Sequence, residues 1–368
     1  MADRIVHLIG QSSRGGAERQ LFLLSTALNK RGWPQSVVSF DVGGVWKERL
    51  ESAGLPVHEI PRCRFKPWRL WQLSRILRRE RPAILQVWSP HVGPYARWAW
   101  GKGGARTVVG VRSNLTFNTH TGKPVDRIPF IGSFVHADCA VSNSQGALDD
   151  LARRGIKLPR AKVIGNIVEP NGRADAAQPA ATPRIVSAGR LDILKGHDCL
   201  LRAAAILAAE RKPFELLLVG EGPERDALES LASELNLRHC VRFLGPVDGV
   251  SDLMAAAHVL AHPSKHEGLS NTILEGMAEG LPVVSTIECA SEIIEDGRTG
   301  LLVPAGQPKE LADALRRLLD DPPLRGRLGA AALRHVQQYC NADLIAEQYE
   351  NLYHSLLATG LSRAACSR

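Results

Sequence analysis

The residues best suited to chemistry lie in one segment, His262–Val284, which reads HPSKHEGLSNTILEGMAEGLPVV. Glu267 follows a predicted strand, and Glu275 lies about one turn into the helix predicted after it. A carboxylate there can accept hydrogen bonds from the vicinal hydroxyls of a ribose. Glu267 can likewise hold sugar hydroxyls, or offset positive charge that develops at an anomeric carbon. The helix macrodipole alone accounts for both glutamates, but it does not account for Gly268 between a carboxylate and a helix start.

The start of that helix also suits an anion. Ser270 or Asn271 can cap it. The first backbone N–H groups of a helix have no acceptor within the helix, so they can face a phosphate group. The residues that supply these groups here are Leu269, Ser270, Asn271 and Thr272.

Two further loops follow predicted strands. Ser187–Leu201 reads SAGRLDILKGHDCLL, with Arg190 and Lys195 just before a helix. Arginine can bind two phosphate oxygens at once and lysine is a mobile point charge, so the pair suits a diphosphate. The alternative is that both residues are solvated cations on the surface. After the first strand of the chain, Gly15 and Gly16 precede a predicted helix. They could let an anion approach the free N–H groups at the helix start, or they could simply form a tight turn between strand and helix, and the sequence favours neither.

Short apolar runs alternate with longer amphipathic segments, which is typical of α/β domains with parallel sheets and crossover helices. Ligands of such doubly wound sheets bind beyond the carboxyl ends of the strands, where all these loops lie. The predicted strands are Ile5–Ile9, Ser36–Phe40, Ala83–Val87, Thr107–Val111, Cys139–Val141 and Lys162–Ile167, followed by Arg184–Ala188, Glu215–Val219, Val241–Leu244, Val259–His262 and Pro282–Ser285.

This pattern predicts two doubly wound domains, at residues 1–168 and 184–340. Residues 169–183 are rich in alanine and proline and are predicted to be the linker. Residues 341–368 are predicted to form a C-terminal helix that packs back toward the N-terminal domain.

Composition excludes a disordered or fibrous chain, because 44% of the 368 residues are hydrophobic and 23% are charged. The net charge of +8 is unevenly distributed along the chain. Residues up to Pro170 include 26 basic and 12 acidic side chains, a net charge of +14, and the residues after it include 20 basic and 26 acidic side chains, a net charge of −6. The seven cysteines stand singly, which predicts free thiols in a reducing compartment and no zinc site. With no secretory segment and no apolar run of ~20 residues, we expect a cytoplasmic protein that could associate peripherally with the inner face of the plasma membrane.

The stretch Pro61–Arg81 holds eight cations and a single acid. Its apolar residues trace one face of a helix, which is typical of a crossover helix packed on the sheet. The cations are not needed for that packing, so Arg62–Arg81 is also predicted to contact an anionic membrane surface. The apolar face comprises Trp68, Leu70 or Trp71, Leu73, Ile76 and Leu77.

Several motifs in order along the chain resemble the retaining glycosyltransferases of family 4. That resemblance implies the GT-B fold, in which two Rossmann-like domains face a central cleft. The motifs are GGAER (Gly15–Arg19), AGRLDILKG (Ala188–Gly196), VGEGPER (Val219–Arg225), VRFLGPV (Val241–Val247), HEGLSNTILEGMA (His266–Ala278) and EIIEDGRTGLLVP (Glu292–Pro304).

The resemblance implies a UDP- or GDP-linked sugar donor and a glycan or lipid-linked acceptor, in the synthesis of lipopolysaccharide or another cell-surface polysaccharide. It implies retention of configuration, without a metal or a cofactor. Arg190 and Lys195 would hold the diphosphate and Glu267 the transferred sugar, as the catalytic residues. The implied donor-binding residues are Glu275 at the ribose, backbone near Phe243 and Leu244 at the base, Gly15 and Gly16 from the first domain, and Gly268, Leu269, Ser270, Asn271 and Thr272.

This chain departs from the family pattern at two places. Cys289, Ala290 and Ser291 precede Glu292 where many members carry a glycine-rich turn. Many members also carry a histidine after a strand of the first domain, whereas the segment here reads VVGVRSNLTFN. Arg112 in that segment is predicted to contact the substrate, with His91 as the alternative.

Three other functions are alternatives to a glycosyltransferase. A GT-B epimerase would share the donor contacts and lack an acceptor. A nicotinamide-dependent oxidoreductase is suggested by Asp41 at the end of the second strand, but the loop GQSSRGG does not supply GxGxxG. A nucleic-acid binder lacks any recognition motif and ranks last.

Overall fold

The structure is a computed structural model that describes residues 3–12, 15–63, 65–100, 104–112, 131–158, 160–169, 182–210 and 212–365. These residues form two compact units. Unit 1 comprises the described residues of Met1–Ser113, Arg127–Ile167 and Ala342–Arg368, and unit 2 those of Val168–Asn341.

Unit 1 is built on a parallel sheet of seven strands in the order β3-β2-β1-β4-β5-β6-β7. Helices cover the sheet, so its central strands are buried along their length and read as apolar runs. The strands are β1 (Ile5–Ile9), β2 (Gln35–Ser39), β3 (Val57–Glu59), β4 (Ile84–Val87), β5 (Arg106–Val111), β6 (Cys139–Ser142) and β7 (Ala161–Val163). The helices between them are α1 (Gly16–Lys30), α2 (Val45–Ser52), α3 (Lys66–Glu80), α4 (Gly93–Trp100), α5 (Ile131–Val135) and α6 (Gln145–Arg153).

The last helix of the chain, Ala342–Ala365, completes the core of unit 1. Tyr349 and Tyr353 are buried there, and the Tyr353 hydroxyl donates to Gln86 of β4 at 3.0 Å. The indole N–H of Trp33 donates to the Glu350 carboxylate at 2.7 Å. Apolar packing and hydrogen bonds therefore both attach this helix to the strands and helices at the start of the chain.

Unit 2 repeats the layout with six parallel strands in the order β10-β9-β8-β11-β12-β13. Two apolar clusters, one on each face of this sheet, form its core. The strands are β8 (Arg184–Ala188), β9 (Glu215–Val219), β10 (Val241–Gly245), β11 (Val259–His262), β12 (Val283–Thr286) and β13 (Leu301–Val303). The helices are α7 (His197–Ala209), α8 (Arg225–Glu234), α9 (Val250–Ala255), α10 (Asn271–Ala278), α11 (Ile287–Ala290), α12 (Pro308–Asp320) and α13 (Pro322–Tyr339).

The predicted fold class, two doubly wound parallel α/β units, is confirmed. The prediction of a strand over Lys162–Ile167 is wrong beyond Val163. The Ile164 N–H still donates to the Ser142 carbonyl of β6 at 2.9 Å, and the Ile167 N–H then donates to the Gln20 side chain of α1 at 2.7 Å, and not to a neighbouring strand. The strands β3 and β13 were not predicted, because three residues are too few to show a period.

A histidine lies in the middle of the unit 1 sheet. His7 of β1 is fully buried, and its Nε2–H donates to Gln35 at 2.9 Å while its Nδ1 accepts from the Trp88 indole at 3.1 Å. Burial lowers the pKa of His7 from 6.5 to about 4, although the bond to Gln35 opposes this shift. His7 is therefore neutral in the folded protein at pH values where the unfolded chain binds a proton.

Unit 1 should lose stability as the pH falls from 6.5 toward 4, because protons bind the unfolded chain at His7 before they bind the folded one. The stability lost between pH 7 and pH 5 should be about 2 kcal/mol from this residue. Urea unfolding followed by tryptophan fluorescence measures it, since all seven tryptophans lie in unit 1. The variant His7→Gln should have a shallower pH dependence, whereas His239→Gln, at an exposed site in unit 2, should match the wild type. Equal pH dependence in all three proteins would contradict the assignment.

Candidate active site

The Glu267 carboxylate is the centre of the candidate site in unit 2. One of its oxygens, Oε1, accepts hydrogen bonds from Ser264 Oγ at 2.7 Å and from His262 Nε2 at 3.0 Å. The Lys195 ammonium forms an ion pair with the same oxygen. Among the described residues, no hydrogen bond or ion pair reaches the second oxygen, Oε2. The Glu267 side chain is 14% exposed, so Oε2 is the group that can meet a ligand.

The loop that carries Glu267 begins where β11 ends, at His262. The Ser264 carbonyl accepts from Thr286 Oγ1 at 2.6 Å and from Cys289 Sγ at 3.1 Å. The Lys265 N–H donates to the Leu194 carbonyl at 2.7 Å. These bonds join the loop after β11 to the end of β12 and to the loop after β8, so the position of Glu267 is determined by three strand ends.

Lys195 reaches Glu267 because of the residue that follows it. Residues Ile193–Lys195 form a short 3-10 turn, and Gly196 then adopts a φ of +68° before α7 begins. A Cβ atom at this position would lie 2.1 Å from the Pro263 carbonyl oxygen, which is far inside van der Waals contact. Glycine therefore permits both the left-handed backbone and the close approach of the two loops.

The electrostatics of the cluster favour a charged carboxylate. Burial alone would raise the pKa of Glu267, but His262 and Lys195 lower it well below its ordinary value. His197, the first residue of α7, is buried behind these residues. Burial, then His262 and Lys195, lower the pKa of His197 to about 3. Glu267 is therefore ionised and His197 is neutral at pH 7.

Arg190 lies in the same loop as Lys195 but in a different environment. Its side chain is 51% exposed, and its Nε is 4.0 Å from the mostly buried Asp192 carboxylate. Asp192 in turn accepts from the Leu194 N–H at 3.0 Å and so shapes the turn that leads to Lys195. Of the two predicted diphosphate ligands, one is therefore held by Glu267 and the other faces solvent.

The start of α10 lies directly after Glu267 in the chain. Ser270 occupies the N-cap position, but its hydroxyl makes no capping hydrogen bond. Gly268, Leu269 and Thr272 lie partly exposed around this helix start, as does Asn271. Glu275 is half-buried one turn further along α10.

Phe243 and Leu244 lie near the carboxyl end of β10, on the same edge of the sheet as these loops. Their side chains pack into the apolar clusters on opposite faces of the sheet. Both residues are partly exposed, and the contact of their backbone with a base stays a prediction.

The structure places four of the predicted residues in unit 1. Gly15 is the N-cap of α1 in an extended conformation, and Gly16 is the first residue of that helix. The His91 ring, in the turn after β4, lies against Gly10 at the end of β1, where a Cβ atom would be 2.2 Å from Nε2. Burial, then Arg69 and Arg62, lower the pKa of His91.

Arg112 is bound within unit 1. It donates to Asn166 at 2.9 Å, contacts the Tyr349 hydroxyl of the C-terminal helix, and lies 4.6 Å from the centre of the Trp88 ring. Asn114, its neighbour in the predicted substrate segment, lies outside the described residues. Arg112 therefore links the C-terminal helix to other parts of unit 1. Its contact with substrate stays a prediction.

Sequence reasoning missed three residues of the cluster, namely His262, Ser264 and His197. Their spacing was visible, because His262 and Ser264 stand five and three residues before Glu267. A histidine at a strand end is usually a core residue, and only the folded chain shows that its ring reaches the carboxylate.

Among the residues that the structure describes, no group of three or more His, Cys, Asp or Glu side chains could hold a metal ion. In the same part of the chain, no helix has the length and apolar character needed to cross a membrane.

Comparison with known proteins decides the family. A family model described as Glycosyltransferase Family 4 matches residues 14–172, and one described as Glycosyl transferases group 1 matches residues 182–321. The lipopolysaccharide core biosynthesis glycosyltransferase LpsE of Rhizobium meliloti (strain 1021) is 31% identical over 360 residues, which cover 93% of this chain and 96% of LpsE. The chain belongs to glycosyltransferase family 4.

Other family members and solved structures agree with this assignment. LpsD of the same organism, also a lipopolysaccharide core biosynthesis glycosyltransferase, is 28% identical over 355 residues, 95% of this chain and 98% of LpsD. The crystal structure of Anabaena HepE with UDP-glucose has a TM-score of 0.83 at 22% identity, covering 96% of this chain and 99% of that one. The predicted GT-B fold and glycosyltransferase activity are thus confirmed, and the epimerase and oxidoreductase alternatives find no support.

The close contact at Gly196 gives a test of how the site is built. Gly196→Ala should destabilise unit 2 by more than Gly280→Ala, although both residues have a φ near +70°. A left-handed alanine costs roughly 1–2 kcal/mol at either position. Only at Gly196 does the new Cβ also meet a carbonyl oxygen, since nothing lies within 4 Å of a Cβ at Gly280. Far-UV circular dichroism during thermal unfolding measures the difference, and equal losses would show that the loop contact contributes nothing.

Proposed function

We propose that this glycosyltransferase moves a sugar, with retention, from a UDP- or GDP-linked donor to a glycan or lipid-linked acceptor in lipopolysaccharide core or related polysaccharide synthesis. The observation that carries the proposal is the ionised Glu267 carboxylate beside Lys195 at the carboxyl edge of the unit 2 sheet. The relatives support the acceptor class, because LpsE and LpsD are named for lipopolysaccharide core biosynthesis. The structure of HepE with UDP-glucose supports the donor class.

The donor would bind along the carboxyl edge of the unit 2 sheet. Arg190 and Lys195 would neutralise its diphosphate, and Glu275 would accept hydrogen bonds from the ribose hydroxyls. Backbone groups near Phe243 and Leu244 would meet the base. Oε2 of Glu267 would accept a hydrogen bond from a hydroxyl of the transferred sugar. The predicted donor contacts of Gly15 and Gly16 stay predictions.

Retention of configuration requires the acceptor hydroxyl to attack the anomeric carbon from the same face that the nucleotide leaves. The bond from the anomeric carbon to the phosphate oxygen breaks, and a bond to the acceptor oxygen forms. The acceptor hydroxyl proton passes to the departing phosphate oxygen, so the products are the glycosylated acceptor and the nucleoside diphosphate. Arg190 and Lys195 would stabilise the negative charge that develops on the diphosphate, so that neither a metal nor a cofactor is required.

A thermal-shift panel of UDP-, GDP- and ADP-sugars tests the donor site. A ligand at about 100 times its Kd adds ~2.7 kcal/mol to the stability of the wild type. Lys195→Ala and Glu275→Ala should each abolish that shift, because they remove a diphosphate or a ribose contact. Lys212→Ala is the matched control, since this 61% exposed lysine pairs with Asp320 near the opposite edge of the same sheet. Full responses from both site variants would place the donor elsewhere.

We also propose that α3 and α4 of unit 1 bind an anionic membrane surface. Leu73 and Leu77 of α3 are fully buried, so one face of the helix packs on the unit. Trp71, which the sequence offered as an alternative to Leu70 on that face, is 55% exposed and lies beside Trp98 of α4, which is 76% exposed. Together with Arg75 and Arg78 they line a groove of about 360 Å³. Exposed tryptophan beside arginine suits the boundary between lipid headgroups and acyl chains.

The cytoplasmic face of the membrane is the proposed location of this contact. The cysteines that the structure describes are all free, in keeping with a reducing compartment. The anionic lipids of that leaflet attract clustered cations by about 1 kcal/mol for each Lys or Arg near the surface.

Vesicle sedimentation tests the membrane proposal. The wild type should bind vesicles of phosphatidylcholine and phosphatidylglycerol more strongly than vesicles of phosphatidylcholine alone. The double variant Arg75→Ala/Arg78→Ala should bind the anionic vesicles roughly 30-fold more weakly, because two cations leave the surface. Arg242→Ala/Arg327→Ala has the same net charge and changes exposed residues of unit 2, so it should bind as the wild type does. Binding without any preference for anionic lipid, or equal losses in the two variants, would exclude this surface.

A further inference from the structure

The three donors to Glu267 differ in how firmly they are held. Lys195 reaches the carboxylate on a flexible four-carbon side chain that is 23% exposed. His262 ends a buried strand, and its carbonyl accepts from Ser285 Oγ of β12 at 2.8 Å. Ser264 is fully buried, and its carbonyl is bonded to Thr286 and Cys289. Lys195 can therefore swing away from the carboxylate, whereas His262 and Ser264 are buried on backbone that is held by neighbouring elements.

We propose that His262 and Ser264 are positioning residues that hold Glu267 when Lys195 leaves it for the donor diphosphate. The inference rests on the proposed function, because it needs a diphosphate that draws Lys195 away. In the structure, Lys195 and Glu267 neutralise each other. A bound diphosphate carries more negative charge than one carboxylate and so competes for the ammonium group.

The need for two fixed donors follows from the burial of the carboxylate. A buried charge that loses its only partner is strongly destabilising, and the group then rotates or takes up a proton. After Lys195 leaves, Oε1 of Glu267 still accepts from His262 Nε2–H and Ser264 Oγ–H. The carboxylate therefore stays ionised and keeps its orientation.

That orientation decides which oxygen is presented to the sugar. Both fixed donors lie on Oε1, and His262 Nε2 and Ser264 Oγ are also 3.1 Å from each other, so they form one compact donor pair. A carboxylate pinned through one oxygen directs the other toward the ligand. The proposed hydrogen bond from Oε2 to a sugar hydroxyl would then exist at the moment of transfer, when Lys195 is engaged elsewhere.

Variants of His262 test both the support and the orientation of Glu267. With UDP and UDP-glucose as probes, His262→Leu should raise the Kd for UDP at least tenfold, because the diphosphate then draws Lys195 from a carboxylate that has lost one of its two fixed donors. It should lower the kcat for transfer of glucose to water at least tenfold, because Glu267 is no longer aimed. His262→Gln, whose amide N–H can reach the same oxygen, should recover most of the rate. Ser264→Ala should lower kcat in the same way as His262→Leu.

His258→Gln is the matched control. This histidine precedes the other end of β11, where its Nδ1 accepts from the Arg184 N–H at 3.1 Å, and its replacement should leave both constants unchanged. The inference is overturned if His262→Leu leaves the Kd for UDP unchanged, or if it transfers glucose at the wild-type rate.

A second measurement needs no donor and so separates this inference from the proposed function. The unfolding of unit 2 in urea, followed by circular dichroism, is compared for Lys195→Ala, His262→Leu and the double variant. If His262 supports Glu267 when Lys195 is absent, the double variant should raise the unfolding equilibrium constant at least tenfold beyond the product of the single effects. Independent effects would overturn the inference. A wild type that binds no nucleotide sugar would instead refute the proposed function.

Discussion

The buried negative charge of Glu267 is the constraint on which the candidate site depends. Removal from water alone would raise the pKa of this carboxyl, and the group stays ionised only because His262 and Lys195 are placed beside it. Each partner comes from a different part of unit 2: the end of β11 and the loop after β8. The ion pair and the hydrogen bonds to Glu267 therefore exist only in the folded unit, and they link the stability of the loops to the chemistry that they carry.

The scaffold meets this constraint with backbone contacts at the carboxyl edge of the sheet. Neighbouring parallel strands end at the same edge, so the loops after β8, β11 and β12 are adjacent although they are far apart in the chain. Gly196 permits a contact with Pro263 that a side chain would block. The bond from the Lys265 N–H to the Leu194 carbonyl then joins the two loops directly. The positions of Lys195 and Glu267 in unit 2 thus depend on close contacts between the backbones of the two loops that carry them.

Unit 1 uses its polar groups differently. Arg112 contacts both Trp88 of the sheet and Tyr349 of the C-terminal helix, so this cation, predicted from the sequence to contact substrate, joins two elements of unit 1. His7 is kept neutral in the same core. The excess of positive charge in the first half of the chain lies elsewhere, in part on α3, where Arg75 and Arg78 face solvent beside exposed tryptophans.

The architecture and the family could be predicted from the sequence, and so could the loops of the candidate site. Alternating apolar and amphipathic segments identified two doubly wound sheets, because burial on both faces leaves a parallel strand as a short apolar run. Motif order identified the family, and the loops containing Lys195 and Glu267 were recognised by residue type and by their place after a strand. The nucleotide base, the sugar and the acceptor left no comparable mark in the sequence.

The tertiary structure alone decided which partners these residues meet. Neither the ion pair of Lys195 with Glu267 nor the convergence of His262 and Ser264 on one oxygen appears in a local pattern, because each depends on loops joined through the strand order. The exposure of Trp71 was equally hidden, since helical spacing groups it with the buried Leu73 and Leu77, and only the packing of α3 separates them. The periodicity of a sequence indicates which residues are buried on average. The partners and the charge state of each side chain depend on its neighbours in the folded structure.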